Sequence, residues 1–192
     1  MPLTKEITVD RNKKIFVFDD VFEMDWRRHA FKFIRDSRFC IGWADQEDPH
    51  NAEHVYMHSR WDQKDIQNFG IFNQIKEDKI LELLKGKTLD INHGAIINCS
   101  YPTDTYFAHS HKNTTVLYYA NVQWKEEWAG ETLFFNEDVS EIEFASMYKP
   151  GRLIVFDGGI PHSLRPQSKY APQYRFTATF FFDPGRGLTE TL

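Results

Sequence analysis

The sequence is poor in cysteine and in long apolar runs. Its only two cysteines, Cys40 and Cys99, lie far apart among apolar and aromatic residues, so we expect two buried free thiols and exclude a disulfide scaffold. No apolar run reaches roughly 18 residues, the length that spans a bilayer. The first ten residues also lack the apolar core of a signal peptide. We therefore expect a soluble, cytoplasmic protein with no membrane partner.

Positive charge is also in short supply. The 23 Lys and Arg residues are outnumbered by 28 Asp and Glu residues, which gives a net charge of -5. Such a balance does not favour nucleic acid as a partner. Hydrophobic residues make up 41% of the chain and aromatic residues 16%, enough apolar surface for a folded core. The length of 192 residues predicts one domain over 1–192.

The N-terminal part predicts a strand followed by a helix. Residues 14–18 are rich in Phe, Ile and Val, as a short strand is. Asp19 and Asp20 then offer oxygen atoms that can cap a helix over about 21–35. Its apolar residues recur every three or four positions, which indicates one buried helix face. They are Phe22, Trp26, Ala30, Phe31 and Ile34.

The next part predicts an irregular segment and a second helix. Residues 36–62 scatter histidines and tryptophans among polar residues, as a loop or lid does. Helical periodicity then covers about 64–85, where Gly70 is a candidate interruption and Gly86 a C-terminal stop. We therefore expect residues 1–88 to form helical support for a second, different part of the chain.

Residues 89–183 predict a β-rich core. Short aromatic and β-branched segments alternate there with turn residues, and no helix-length pattern intervenes. Eight strands in so short a stretch indicate a β-sandwich or jelly roll, here with helices packed on one sheet, an α+β and mainly β fold. We place the strands near 91–100, 105–111, 114–121, 131–135, 141–144, 152–157, 162–165 and 174–182.

Three histidines in this core are candidate metal ligands. His109 and His111 are separated by one residue, so an extended chain points both side chains to the same face. His162 follows the strand-like segment 152–157 and can return beside the pair. Imidazole is the commonest ligand for iron, zinc, copper and nickel. An isolated His-x-His pair is often only a surface feature, so the flanking residues must decide.

A polar strip on the last predicted strand gives a second candidate site. Alternation places Arg175, Thr177, Thr179 and Phe181 on one face, opposite a row of apolar side chains. An arginine inside a barrel strand is unusual, and its guanidinium can hold a carboxylate through two parallel hydrogen bonds. An edge-strand arginine in a surface salt bridge fits the pattern equally well.

An ordered set of motifs runs through the second half of the chain. The set comprises Cys99-Ser-Tyr-Pro102, His109-Ser-His111, Leu117-Tyr-Tyr-Ala-Asn121, Trp124, Ala129-Gly-Glu-Thr-Leu133, Arg152-Leu-Ile-Val-Phe156, His162 and Arg175. Any single motif would be weak, but the ordered set is specific. It resembles a known family, the iron(II)/2-oxoglutarate-dependent dioxygenases in their prolyl 4-hydroxylase-like branch. The resemblance covers about 91–183 and implies a double-stranded β-helix, another name for the jelly roll.

The resemblance implies roles for individual residues. His109 and His162 match the family's two histidine ligands to iron, with His111 completing a catalytic and metal-binding triad. Arg175 matches the residue that pairs with the far carboxylate of 2-oxoglutarate. Tyr119 and Tyr101 match tyrosines of the cosubstrate pocket. The implied reaction hydroxylates an unactivated C–H bond, such as that of a peptidyl proline, and releases succinate and CO2. Implied partners are Fe(II), 2-oxoglutarate, ascorbate as reductant, and a peptide, protein or small-molecule substrate.

The sequence departs from the family at His111, where the family has Asp or Glu. A neutral imidazole leaves both positive charges of a ferrous ion uncompensated, which puts redox potential, cosubstrate affinity and metal choice in question. Three-histidine sites are nevertheless chemically reasonable. Asp104 and Glu131 lack the right spacing to replace the acid. Asp157 is a further carboxylate, although a turn role before Gly158-Gly159 is its more usual explanation.

A cupin-like metal dioxygenase that uses three histidines without 2-oxoglutarate is one alternative. Lys149-Pro-Gly151 ahead of His162 suits it, but it leaves Arg175 without a role, and 112–115 lacks the Glu that cupins usually place there. A second alternative is a non-enzymatic jelly-roll module with structural histidines. Trp43, His58, Arg60, Trp61 and Trp124 are candidates for a substrate rim, although packing or surface roles are commoner for such residues.

Overall fold

The computed structural model of the chain describes residues 3–9, 12–42, 57–90, 92, 94–102 and 107–183. Among these described residues strands dominate, and four helices accompany them. The strands are β1 Lys5–Val9, β2 Lys13–Phe18, β3 Cys40–Ile41, β4 Met57–Trp61, β5 Thr88–Leu89, β6 Ala95–Ser100, β7 Thr114–Tyr119, β8 Thr132–Phe135, β9 Ile142–Ser146, β10 Leu153–Asp157, β11 His162–Leu164 and β12 Arg175–Asp183. The helices are α1 Met24–Arg35, α2 Gln63–Phe69, α3 Ile71–Gln74 and α4 Asp78–Leu84, with a 3-10 turn at Glu126–Trp128.

Two antiparallel sheets form a sandwich. The large sheet has the order β1-β2-β10-β7-β12-β6-β4-β3, and β5 pairs with β12. The small sheet has the order β11-β8-β9. Aromatic rings fill the space between them; Phe134 of the small sheet meets Phe156 of the large one edge-on at 5.0 Å. This jelly-roll arrangement with supporting helices confirms the predicted fold class.

The large sheet has one face for the helices and one for the small sheet. Along β12, Ala178 and Phe180 belong to the core beneath the helices, where they pack with Ile34 of α1 and Phe69 of α2. The alternate side chains of the neighbouring strands, such as Leu117, join the core between the sheets. Strict alternation along buried strands produces this division, as the sequence pattern predicts.

The predicted helix over 64–85 is wrong, because three separate helices occupy that stretch. Asp62 caps α2 through a reciprocal capping box with Asp65. Gly70 then adopts the left-handed region, with φ 68, and ends α2. The chain leaves α3 in an extended conformation at Ile75 before α4 begins. Gly86, with φ 74, lies just beyond the end of α4.

Other local predictions also need correction. The segment 36–62 is not wholly irregular, because β3 and β4 lie in it and extend the large sheet beside β6. The part up to residue 88 is more than helical support, since β1 to β4 belong to that sheet. Around His109 the described backbone forms a single bridge rather than a strand over 105–111, of which 105 and 106 lie outside the described residues. Cys99 is a buried free thiol as predicted, but Cys40 is exposed.

The sequence predicts that no segment of the chain spans a membrane. Within the described ranges, none of the helices has the length and apolar character needed to cross a bilayer.

Candidate metal centre and anion pocket

The backbone brings His109, His111 and His162 to one place. His109 and His162 exchange two backbone hydrogen bonds, with N–O distances of 3.0 and 2.9 Å, so the two residues lie side by side. The amide of His111 donates to the carbonyl oxygen of Gly158 at 2.6 Å, which ties the pair to the turn after β10. Residues far apart in sequence are thereby fixed by main-chain contacts.

The three imidazoles converge on a common point. Their candidate ligand atoms all lie within 4.8 Å of one another. The ring centroids are 4.5 Å apart for His109 and His162, 5.0 Å for His109 and His111, and 5.2 Å for His111 and His162. This is the spacing expected of donors that face one shared ion. Of the residues that the structure describes, no carboxylate belongs to the cluster.

Backbone carbonyls select which ring nitrogen faces the cluster. Nδ1 of His162 lies 2.8 Å from the carbonyl oxygen of Ile160, and Nδ1 of His109 lies 3.3 Å from that of Phe107. A carbonyl only accepts, so each Nδ1 carries the proton and each Nε2 keeps its lone pair. Such hydrogen bonds orient metal-bound histidines in general and strengthen them as donors.

Burial keeps these rings neutral. Removal from water lowers the pKa of His109, and the Phe107 carbonyl opposes this only in part. Burial lowers the pKa of His162 well below its ordinary value, with a further contribution from His109 and His111 beside it. A neutral imidazole is the form that binds a metal ion, so the site is electrostatically prepared to receive one.

Close packing fixes the third ring. His111 lies edge-on against Phe181 of β12, with centroids 4.9 Å apart. Gly158 passes so near that an added Cβ would lie 2.3 Å from the carbonyl oxygen of Asn113 and 3.0 Å from Cβ of His111. Only a residue without a side chain allows the two segments this approach. The predicted strip is thus connected to the histidines through Phe181.

Arg175 begins the same strip, three same-face positions before Phe181. Its side chain is buried, with only 3% of the residue exposed. Nε donates to the carbonyl oxygen of Gly130 at 2.8 Å, and Nη2 to Oγ1 of Thr132 at 3.4 Å. The predicted alternative, a surface salt bridge on an edge strand, is wrong because β12 is central in the large sheet and Arg175 faces the small one.

Aromatic rings enclose the guanidinium. Its central carbon lies 4.7 Å from the ring centroid of Tyr148 and 5.4 Å from that of Tyr119. The Tyr119 hydroxyl donates to Thr132 at 2.7 Å, which holds its ring beside Arg175. The ring of Tyr101 meets that of Tyr174 edge-on at 6.2 Å, at the end of β6 and the start of β12.

The spare carboxylates lie away from the histidine cluster or outside the description. Asp157 is exposed and accepts from the amide of Gly159 at 2.8 Å, the turn role expected of it. A carboxylate oxygen of Glu131 lies 3.7 Å from the guanidinium of Arg165. Asp104 lies outside the described residues.

Among the candidate rim residues that the structure describes, His58, Arg60 and Trp61 line one cavity between β4 and α1, and Trp124 is not part of its lining. Only 3% of Trp61 is exposed, and its ring meets Phe69 at 4.9 Å. His58 and Arg60 lie on the same strand, β4, and Trp43 falls outside the described residues. Trp124 packs on Tyr148 at 4.6 Å and so borders the Arg175 pocket.

Sequence reasoning missed Tyr148 and Gly158 as parts of the site. Tyr148 sits in the connection between β9 and β10, where strand alternation gives no information about side-chain direction. Gly158 reads as one member of an ordinary Gly-Gly turn. Its close approach to His111 depends on a tertiary contact that no local pattern encodes.

Comparison of the whole structure with solved structures identifies its fold. A prolyl hydroxylase from Trichoplax adhaerens, solved with a hypoxia inducible factor peptide fragment, aligns with a TM-score of 0.66 over 88% of this chain and 83% of that one, at 13% identity. A prolyl-4-hydroxylase from Pseudomonas putida aligns with a TM-score of 0.61 over 88% of this chain and 92% of that one, at 14% identity. HygX from Streptomyces hygroscopicus, with nickel and 2-oxoglutarate bound, aligns with a TM-score of 0.59 over 88% and 82%, at 10% identity.

At the sequence level, no family model and no curated protein matches the chain. The structural likeness nonetheless spans most of the chain and of each of these neighbours. The chain therefore has the fold of the 2-oxoglutarate/iron(II) oxygenases, in its prolyl hydroxylase-like form. The resemblance found in the sequence is confirmed at this level.

Proposed function

We propose that the chain is an iron(II)- and 2-oxoglutarate-dependent dioxygenase that hydroxylates an unactivated C–H bond. The observation that carries the proposal is the placement of two sites on one inner face of this fold. One is a cluster of three imidazoles, and the other is a buried guanidinium on the strip that runs from the cluster along β12. The first suits a divalent metal ion, and the second suits a carboxylate.

The described donors fit the implied metal. His109, His111 and His162 would hold Fe(II), which together with bound 2-oxoglutarate and oxygen supplies the oxidising power for hydroxylation, with succinate and CO2 as products. Three protein donors leave coordination positions open for other groups. Arg175 would bind the far carboxylate of 2-oxoglutarate, and Tyr119 would line its pocket. The apolar walls around the cluster would keep water away from the reacting atoms.

His111 would make this an unusual member of its class. A carboxylate ligand compensates one positive charge of a divalent ion, whereas an imidazole compensates none. We expect the uncompensated charge to strengthen the attraction for dianionic 2-oxoglutarate and to raise the reduction potential of the ion. The close packing of His111 against Phe181 and Gly158 supports a site built for a ring at this position.

For the substrate we propose a peptide, with a prolyl residue as the first candidate. One structural neighbour is described as a complex with a peptide fragment, and two are described as prolyl hydroxylases, which supports this class. A small molecule is the other class to screen. We expect neither nucleic acid nor membrane as a partner, given the net charge of -5.

The test is succinate formation from 2-oxoglutarate with Fe(II), ascorbate and oxygen, first without substrate and then with a library of prolyl peptides. Even without substrate, we expect slow turnover in the wild type that is lost in Arg175→Ala and His162→Ala. The His111→Asp variant tests whether the site requires an imidazole at this position. Higher activity in that variant would mean that the imidazole is only tolerated, and loss would mean that the pocket requires it. No turnover together with no 2-oxoglutarate binding would contradict the proposal.

The all-imidazole donor set favours a second candidate, a cupin-like dioxygenase that uses metal and oxygen without 2-oxoglutarate. That candidate gives Arg175 no chemical role. Under it, Arg175→Ala would retain metal and oxygen-dependent activity, whereas His162→Ala would lose both. If the three histidines are only structural, the wild-type chain should instead retain no metal ion after dialysis.

A further inference from the structure

Tyr148 is a buried tyrosine in contact with Arg175. Only 4% of the residue is exposed, although it lies in a connection between strands rather than in a strand. Its ring stacks on that of Tyr119 at 4.5 Å with an interplanar angle of 13°. The guanidinium carbon of Arg175 lies 4.7 Å from the centroid of the Tyr148 ring. It is farther from the Tyr119 ring, at 5.4 Å.

The hydroxyl of Tyr148 makes a second, separate connection to the same region. It accepts a hydrogen bond from the amide of Asn121 at 3.0 Å. The hydroxyl oxygen also lies 2.7 Å from Oδ1 of Asn121 and 2.6 Å from the carbonyl oxygen of Phe176. Its single proton can be donated to either of these two acceptors. Asn121 in turn accepts from the amide of Phe176 at 2.8 Å. Through these hydrogen bonds Tyr148 fixes the backbone of Phe176, the residue that follows Arg175.

The chemistry of the ring matches this arrangement. A desolvated cation over an aromatic face gains more than an exposed one, because water no longer competes for it. Burial raises the pKa of the Tyr148 hydroxyl, although the charge of Arg175 opposes the change, so the hydroxyl stays protonated and neutral. The ring therefore holds the guanidinium without neutralising it, and the positive charge remains to act on an anionic ligand.

We propose that Tyr148 is the positioning residue for Arg175, whose guanidinium it aims at the far carboxylate of 2-oxoglutarate. The proposal rests on the proposed function and adds a residue to it. Its ring fixes the plane and depth of the guanidinium, and its hydroxyl fixes the start of β12 on which Arg175 stands. Bidentate carboxylate binding depends on such orientation as much as on charge.

The experiment is a double-mutant cycle on 2-oxoglutarate affinity, measured by calorimetry with the Mn(II)-loaded chain without oxygen. Its variants are Tyr148→Leu, Arg175→Met and the double substitution. Tyr148→Leu should weaken binding about tenfold in the wild-type background, the scale of a desolvated cation–π contact. In the Arg175→Met background the same substitution should have no further effect, because the group that it positions is gone. Mn(II) affinity should stay unchanged in all three.

Two further variants separate positioning from general damage. Tyr148→Phe keeps the ring and removes the hydroxyl, so it should retain most of the 2-oxoglutarate affinity that Tyr148→Leu loses. Tyr118→Leu is the matched control, because Tyr118 is an equally buried tyrosine on the helix side of the large sheet. It should lower thermal stability as much as Tyr148→Leu does and leave 2-oxoglutarate affinity intact.

The possible results distinguish the positioning role of Tyr148 from the proposed function of the chain. Equal losses from Tyr148→Leu in the wild-type and Arg175→Met backgrounds would overturn the positioning role and leave the proposed function standing. A loss from Tyr118→Leu as large as that from Tyr148→Leu would do the same. A wild-type chain that binds Mn(II) but no 2-oxoglutarate would overturn both.

Discussion

The two faces of the large sheet use the same strands for different purposes. On the helix side of β12, Ala178 and Phe180 are wholly buried and their neighbours are apolar and aromatic. On the other side, Arg175 and Thr177 are almost as deeply buried but polar. The degree of burial therefore does not show which face serves stability. The chemical nature of the buried groups does show it, because burying a polar group costs desolvation free energy. Buried polar side chains such as these indicate a ligand-binding face.

The largest expected effect is on the helix face. Phe180→Ala removes a ring that is fully buried and meets Phe72 edge-on at 5.1 Å. We expect the free energy of unfolding to fall by about 4 kcal/mol, as for other large-to-small core substitutions. Thr179→Ala, the neighbour on the other face, should cost only about 1 kcal/mol. Urea denaturation of both variants checks this, and equal losses would contradict the division of the faces.

A smaller effect on stability should come from a charged cluster remote from the histidines. Arg152 donates two hydrogen bonds to Asp19 at 2.7 and 2.9 Å, and Lys149 donates a third at 3.1 Å. Burial acts to raise the pKa of Asp19, but the hydrogen bonds and charges of Arg152 and Lys149 outweigh it and leave the pKa lowered. We expect Asp19→Asn to cost about 2 kcal/mol at neutral pH.

The sign of the pH dependence follows from the lowered pKa. The carboxylate stabilises the folded chain fully above its unfolded-state pKa of about 3.9, and this contribution disappears as pH falls through the folded-state value. Unfolding measured across this range should show the wild type losing its advantage over Asp19→Asn on acidification. A difference between the two that grows as pH falls would contradict the assignment.

The smallest of these predicted effects is the change in metal affinity at the histidine cluster. Gly158→Ala places a methyl group against the carbonyl of Asn113 and Cβ of His111, so it should displace the third imidazole. We expect divalent metal affinity to fall about tenfold or more, the scale of losses around metal ligands. Gly159→Ala is the matched control, since its Cβ would meet side chains alone, that of Asp157 at 3.1 Å and that of Lys13 at 3.8 Å. Metal titration of both variants separates them, and equal affinities would rule out this role of Gly158.

Much of the fold could be predicted because local patterns encode it. Alternation along 174–182 predicted both faces of β12, and the turn residues between strands predicted the sandwich. The single helix over 64–85 is wrong because the chain stops being helical at Gly70, the interruption that the sequence suggested, and again at Ile75, which is extended although the apolar pattern continues through it. β4 was missed because its sequence, Met57–Trp61, lacks the β-branched residues that mark strands.

The site divides in the same way. His109, His111, His162 and Arg175 are visible in the sequence because their residue types are chemically distinctive and their order resembles a family. Their convergence could not be computed from sequence, since it depends on the backbone pairing of His109 with His162. Tyr148 carries no such signal, because its importance comes only from lying beneath Arg175.

The most direct test of the account is calorimetric binding of 2-oxoglutarate to the Fe(II)-loaded chain without oxygen. The account predicts one 2-oxoglutarate per chain, with binding lost when the metal is removed, when His162 is replaced by Ala, and when Arg175 is replaced by Met. Binding that survives all three changes, or a wild-type chain that takes up Fe(II) but no 2-oxoglutarate, would contradict it.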